Sequence, residues 1–172
     1  MNELLKKASG RIALTGILAA SALILGLVES MLPTSFLPVP GIKLGLSNIA
    51  VLFAVYFIGK KEGFAVMTVK VLLSAILYAG INGLIYSASG ALFSFGVICL
   101  LIRFRCFSVV GVSAAAGTVH NVGQLFAAII LLKTGMLIGY LPVLIISGCI
   151  TGVLTGLITA FILKRQDLKR IV

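Results

Sequence analysis

A lysine, a histidine and three side-chain amides stand inside long apolar stretches of this chain, and they decide what chemistry it can do. Lys70 lies in the run GFAVMTVKVLLSAILYA (63–79), and His120, the single histidine, is followed by Asn121 and, one helical turn on, by Gln124. Residues four apart share a helix face, and Gly117 one turn earlier leaves space beside that face. A third polar group comes from VPGIKLGLSNIAVLFA (39–54), where a proline-glycine turn carries Lys43 into an apolar segment holding Asn48. These groups hydrogen-bond and attract anions. They do not make bond-breaking machinery, because one histidine with no carboxylate beside it lacks the other ligands of a zinc site and the orienting acid of a nucleophilic dyad. The residue types therefore nominate Lys43, Asn48, Lys70, His120, Asn121 and Gln124 as substrate-binding, with no catalytic residue, no metal ligand and no cofactor.

Each nomination has a plainer alternative. Glu29 is the one acid inside an apolar run, so Lys70 holds an anionic substrate, or pairs with Glu29 across a nominal depth difference of about 13 Å, or snorkels or is buried neutral. His120, Asn121 and Gln124 either line a pocket or bond one helix to another. Lys43 either draws an anion to the outer mouth of the protein or lies beside lipid phosphate. The segment 33–44, with Pro33, Pro38 and Pro40, is held extended and reads as a stiff flap.

The elements that must position these residues are membrane helices. The 172 residues are 60% hydrophobic and 10% charged, with a mean hydropathy of +1.24, whereas an ordinary soluble domain is about 25% charged. Six apolar segments, at about 12–32, 45–58, 63–79, 84–102, 108–132 and 137–163, approach the roughly 20 residues that a spanning helix needs. The second is short. None alternates in the manner of a barrel strand. The expectation is an all-α, single-domain bundle of six transmembrane helices covering 1–172, because no linker or composition break divides the chain.

Cations flanking spans stay on the cytoplasmic side. With both termini cytoplasmic, eleven of the 14 Lys and Arg residues fall inside, Lys43 and Lys133 fall outside, and Lys70 lies within a span. The net charge of +10 is thus distributed in short clusters at every second helix end. That pattern suits topology and anionic lipid headgroups, not a nucleic-acid face. The first apolar segment has no clear cleavage site and is read as the first helix. Cys99, Cys106 and Cys149, odd in number and without CxxC spacing, read as packing residues.

Small residues mark where helices meet. Gly148, Gly152 and Gly156 recur every four residues, a ridge that permits close backbone approach. The first span carries Gly16 with Ala20 and Ala22 with Gly26, small residues on more than one face, so that one face can serve the bundle and another a partner protein.

The run PGIKLGLSNIAVLF (40–53), together with HNVGQL (120–125), resembles the Gx transporter family. Members of that family are often labelled heptaprenyl diphosphate synthase component I and are similar to the substrate-binding S-components of energy-coupling factor (ECF) transporters. The resemblance covers essentially the whole chain. It implies a multi-pass subunit of a bacterial cell membrane that captures a small molecule from outside, working with an energy-coupling transmembrane protein and cytoplasmic ATPases. It also implies that the small residues of the first span, Gly16, Ala20, Ala22 and Gly26, face that coupling protein.

The synthase label meets a chemical objection. Prenyl elongation holds its diphosphate through magnesium on aspartate-rich DDxxD motifs, and this chain has one aspartate, Asp167. No GxxxxGK[ST] run is present either, so ATP hydrolysis belongs to another polypeptide. The expected function is a non-enzymatic S-component-like subunit, and the alternative is a non-catalytic membrane accessory subunit of heptaprenyl diphosphate or quinone metabolism. Few membrane acids and several cations suggest an anionic substrate. Phe36, Phe53, Tyr56, Tyr78 and Tyr86 are candidates for stacking on a flat ring such as a flavin, and a prenyl diphosphate suits the charge and the apolar lining nearly as well.

Overall fold

A computed structural model describes residues 7–31 and 45–165, and all regular structure among them is helical. The helices are α1 (Ala8–Met31), α2 (Leu46–Phe57), α3 (Lys60–Ser74), α4 (Gly80–Phe104), α5 (Val109–Leu132) and α6 (Leu141–Arg165). A π-helical turn, Ala75–Ala79, joins α3 to α4, and a 3-10 turn, Gly135–Tyr140, leads into α6. Large apolar side chains point outward around the bundle, with Ile12 72% and Ile76 78% exposed, as lipid-facing helices require. With four helical stretches long and apolar enough to cross a bilayer, this is a multi-pass membrane protein.

Those four stretches, Ala8–Met31, Lys60–Phe104, Val109–Leu132 and Gly135–Arg165, are fewer than the six spans expected from the sequence. Two physical causes account for the difference. First, α2 has 12 residues and so reaches about 18 Å, well short of a hydrocarbon core of roughly 30 Å. Second, no loop separates the expected spans 63–79 and 84–102. The helical run continues from Lys60 to Phe104 through the π turn.

That run is nonetheless a hairpin. Lys60 Nζ donates to the Cys99 carbonyl at 3.1 Å, and one turn further along α3 the Phe64 ring meets Phe95, one turn earlier on α4, at a centroid distance of 5.4 Å. Mirrored spacing of this kind belongs to antiparallel neighbours. The chain reverses at Gly80, whose φ of 68° lies in the left-handed region that a side chain disfavours.

Other pairs follow the same logic. Val55 with Gly63 and Asn48 with Lys70 place α2 antiparallel to α3, while Arg11 with Glu62 and Gly26 with Tyr78 place α1 parallel to α3. The helices α1, α2 and α3 contact one another, α5 packs on both α4 and α6, and the two trios join where α3 meets α4 and α2 meets α6. Short α2 is the most enclosed element, with eight of its 12 residues buried. Around it lies a core of small and branched residues that includes Ala22, Ala54, Val66 and Ala91.

The cations Arg11, Lys60, Lys61, Arg103, Arg105, Lys164 and Arg165 all fall at one end of this bundle, the end where α1 and α3 begin and α4 and α6 finish. At that end Arg11 pairs with Glu62. Ser108 caps α5, its hydroxyl accepting the Gly111 N–H at 3.1 Å, which starts the helix sharply after the reversal at Arg105.

Candidate functional site

Between the two trios, at the end remote from the clustered cations, the helices enclose a polar hollow. Its wall takes Glu29 from α1, Asn48 from α2, Lys70 and Ser74 from α3 with Tyr78 from the π turn, and His120, Asn121 and Gln124 from α5. Five of the six residues nominated from the sequence as substrate-binding thus border one space. The sixth, Lys43, lies outside the described residues, as does the 33–44 segment apart from its boundary with Gly45.

Lys70 Nζ donates to Asn48 Oδ1 at 2.8 Å across the α2–α3 contact. Asn48 sits in the first turn of α2, where the Gly45 reversal, with φ at 73°, sets the start of the helix. Gln124 and His120 are joined through their Nε2 atoms at 3.1 Å, the roles depending on the imidazole tautomer, so the pair acts as one hydrogen-bonding surface on α5. Asn121 differs from its neighbours. It is 6% exposed, and its amide donates to the Leu144 carbonyl of α6 at 3.0 Å, which ties the two helices together.

Glu29 and Lys70 do not pair among the described residues. Glu29, 7% exposed, accepts the backbone N–H of Gly45, while Lys70 reaches Asn48. The two opposite charges border the same hollow.

Two glycines shape the site, and only one was visible in the sequence. Gly117 borders the hollow beside His120 and also lets α6 approach, since a Cβ there would lie 2.5 Å from the Gly148 carbonyl oxygen. Gly90 on α4 lets α5 pack closely at His120 and Gln124, where a Cβ would meet Gln124 Cγ and the His120 carbonyl at 2.8 Å. Gly90 sits in the small-residue run SASGA (87–91), which signals a close helix approach but gives no hint of its partner.

The ridge Gly148, Gly152 and Gly156 lies against α5 with backbone touching backbone. A Cβ at Gly152 would stand 2.5 Å from the Ser113 carbonyl oxygen. Ser113 and Thr155 hydroxyls bond across the same seam at 3.0 Å. On α1 the four small residues divide. Gly16 and Ala20 face outward, with nothing within 4 Å of a Cβ at Gly16, whereas Ala22 is fully buried and Gly26 faces the Tyr78 hydroxyl. Ala22 and Gly26 are therefore inside the bundle, out of reach of a helix laid on the outer face of α1.

Of the aromatic candidates, Tyr78 alone borders the hollow among the described residues. Phe53 stacks on Phe57, Tyr56 is buried in the core, Tyr86 lies away from the wall, and Phe36 is outside the described residues. In this form the hollow measures about 50 Å³, space for a few waters. A second hollow of about 30 Å³ continues toward the cationic end and shares Asn48, Gly117, His120 and Thr151 with the first. Among the described residues no three His, Cys, Asp or Glu side chains gather as a metal site would need.

No curated protein and no solved structure matches the chain. A family model described as heptaprenyl diphosphate synthase component I matches residues 18–162, which take in α2 to α5 whole and most of α1 and α6. By a match over most of its length, to a family that is Gx transporter-like, the chain belongs to the heptaprenyl diphosphate synthase component I family.

Proposed function

We propose that this chain is the substrate-binding membrane subunit of an energy-coupled small-molecule transporter, organised like an S-component, and that it is not itself an enzyme. The observation that carries the reading is the hollow between the helix trios, where Asn48, Lys70, His120 and Gln124 meet inside an otherwise apolar bundle. Ionisable and amide groups at membrane depth are costly and are kept where they bind or conduct something. An assembly factor or docking platform has no use for a hollow lined by them.

In this reading the chain is one transmembrane domain that crosses a bacterial plasma membrane six times, with both termini cytoplasmic. The α3–α4 hairpin supplies two crossings from one continuous helical run, and the shortness of α2 is tolerated because α1, α3 and α6 surround it. The clustering of cations at one end supports the orientation. The hollow then opens away from the cytoplasm, with Lys43 and Asn48 near its mouth and Lys70, His120, Asn121 and Gln124 along its wall. Gly16 and Ala20 offer an outward face to an energy-coupling membrane protein that works with cytoplasmic ATPases. The substrate is an anionic vitamin-like molecule such as a flavin, a class supported by the Lys70 ammonium and the Tyr78 ring at the same wall. A ring system enters only after the trios separate further, since the hollow as it stands holds a few waters.

The family description favours one other reading, a non-catalytic membrane accessory subunit serving heptaprenyl diphosphate or quinone metabolism. The test is affinity purification of the full chain from its own membranes with identification of whatever protein accompanies it. Recovery of a membrane coupling protein with ATPases is the expected result. Recovery of a soluble prenyl synthase without ATPases would contradict the transporter reading in favour of the accessory subunit.

A further inference from the structure

Inside an apolar helix a serine or threonine usually spends its proton on a nearby carbonyl, as Thr68 does on Phe64, Ser74 on Val71 and Thr118 on Ala114. Ser47 on α2 and Ser87 and Ser94 on α4 make no hydrogen bond among the described residues. All three border the hollows, Ser47 and Ser87 the outer one and Ser94 the inner one. Ser47 is 5% and Ser94 7% exposed, so bulk solvent does not satisfy either hydroxyl. A buried hydroxyl without a partner is costly, so whatever fills the hollows, water or ligand, must bond to them.

At the inner hollow Ser94 of α4 is joined by Ser113 of α5 and by Thr151 and Thr155 of α6. Thr155 donates to the Gly152 carbonyl at 3.1 Å and Thr151 to the Gly148 carbonyl at 3.3 Å, while the Ser113 and Thr155 hydroxyls bond each other at 3.0 Å. With the Thr155 proton on Gly152, Ser113 donates to Thr155, and these three oxygens keep only lone pairs to offer. Ser94 is then the one hydroxyl on this wall with both its proton and its lone pairs uncommitted. No Asp, Glu, Lys or Arg among the described residues lines the inner hollow, so a charged group finds no opposite charge there. Resting on the reading of the hollow as a ligand site, we infer that Ser94 selects the substrate at its inner end, and that this end is a neutral group that both donates and accepts hydrogen bonds, such as a hydroxyl, a carboxamide or a ring lactam. A prenyl or alkyl chain in that place displaces water and reproduces none of its bonds. Ser87 lies seven residues from Ser94 on the same face of α4, about 10 Å away at helical rise. With Ser47 it meets the other end of the substrate beside Lys70. The substrate class is thus a polar molecule that hydrogen-bonds at both ends, not a polar head on a hydrocarbon tail.

Ser94→Ala tests this in the purified full-length chain, because it deletes a hydroxyl that no described protein group uses. Small molecules released by denaturing the chain are identified by accurate-mass and fragmentation mass spectrometry, with an unrelated membrane protein carried through the same detergent as the background. The expected result is one enriched compound with hydrogen-bonding groups at both ends, whose recovery per mole of protein falls at least about fivefold in Ser94→Ala, the loss that accompanies one missing hydrogen bond. The thermal stability of the variant, washed free of small molecules in detergent, is expected to equal that of the unaltered chain treated the same way. Enrichment of a compound that ends in a hydrocarbon chain, a prenyl diphosphate included, would overturn the inference and leave the ligand-binding reading standing. Undiminished recovery from Ser94→Ala would also overturn it, assigning the hydroxyl to water alone, as would a loss of stability or folding in that variant, assigning it to the fold. Failure of any compound to rise above background would bring down the ligand-binding reading and this inference together.

Discussion

Lys70 is the residue on which the binding reading turns. Its ammonium lies ten residues from the start of α3, and its contact with Asn48 is to a neutral oxygen. Replacing it with methionine keeps the length and apolar stem of the side chain while removing the charge. Lys70→Met is therefore expected to leave helicity by circular dichroism unchanged and to abolish recovery of bound small molecule. Loss of folding in that variant would instead assign Lys70 a structural role. Gly90 gives a second prediction at this scale. A valine there drives its Cβ into Gln124 Cγ and the His120 backbone, so Gly90→Val is expected to displace the His120–Gln124 pair and reduce ligand recovery at least about tenfold. The candidate polar residues were legible because an apolar chain makes each of them conspicuous. Glu29 was seen as a potential partner for Lys70, yet its place in the wall depended on Gly45 N–H, a backbone donor that no residue type announces. Gly90 was hidden for a similar reason. A small residue in a helix signals close approach, and only the fold says what approaches.

At the scale of elements, the α5–α6 seam is the tightest contact and the most exposed to test. Gly148, Gly152 and Gly156 let the α6 backbone lie against Gly117, Ser113 and Val110, and no side-chain volume can be added without separating the helices. Gly152→Val is expected to destabilise the bundle by about 1–3 kcal/mol, the usual cost of overpacking. Thermal unfolding followed with a thiol-reactive maleimide dye in a Cys106→Ser, Cys149→Ser background measures this, since Cys99 is half-buried, the other two cysteines are exposed, and the chain has no tryptophan to report instead. The spacing of four between these glycines made the ridge readable from sequence, though its partner was not. The segment from Lys60 to Phe104 was harder. Its apolar content gave two spans, but the hydrogen bonding runs through a π turn and the reversal falls on Gly80, a glycine among several in YAGING (78–83), so a loop was expected where the helix simply turns back.

For the whole molecule, the division into two trios around a polar hollow is the feature that links the fold to the proposed transport role. Composition alone led to an all-helical membrane bundle, because 60% hydrophobic residues in continuous runs permit little else. How the helices associate was not available from the sequence, since packing in lipid depends on surface shape and not on a hydrophobic gradient. The proposed six-crossing topology makes its own prediction. Cys106 lies exposed in the turn between α4 and α5, so in a Cys99→Ser, Cys149→Ser background it is expected to react with a membrane-impermeant maleimide in inverted vesicles and not in intact cells. A cysteine placed at Lys133, at the far end of α5, should show the reverse pattern. The central claim is that the hollow between the trios holds one small molecule, and native mass spectrometry of the full chain released from detergent tests it most directly. The account predicts a single adduct of defined mass at one copy per chain, present in the unaltered protein and missing from folded Lys70→Met. A bare chain in both, or an adduct that Lys70→Met retains in full, would contradict it.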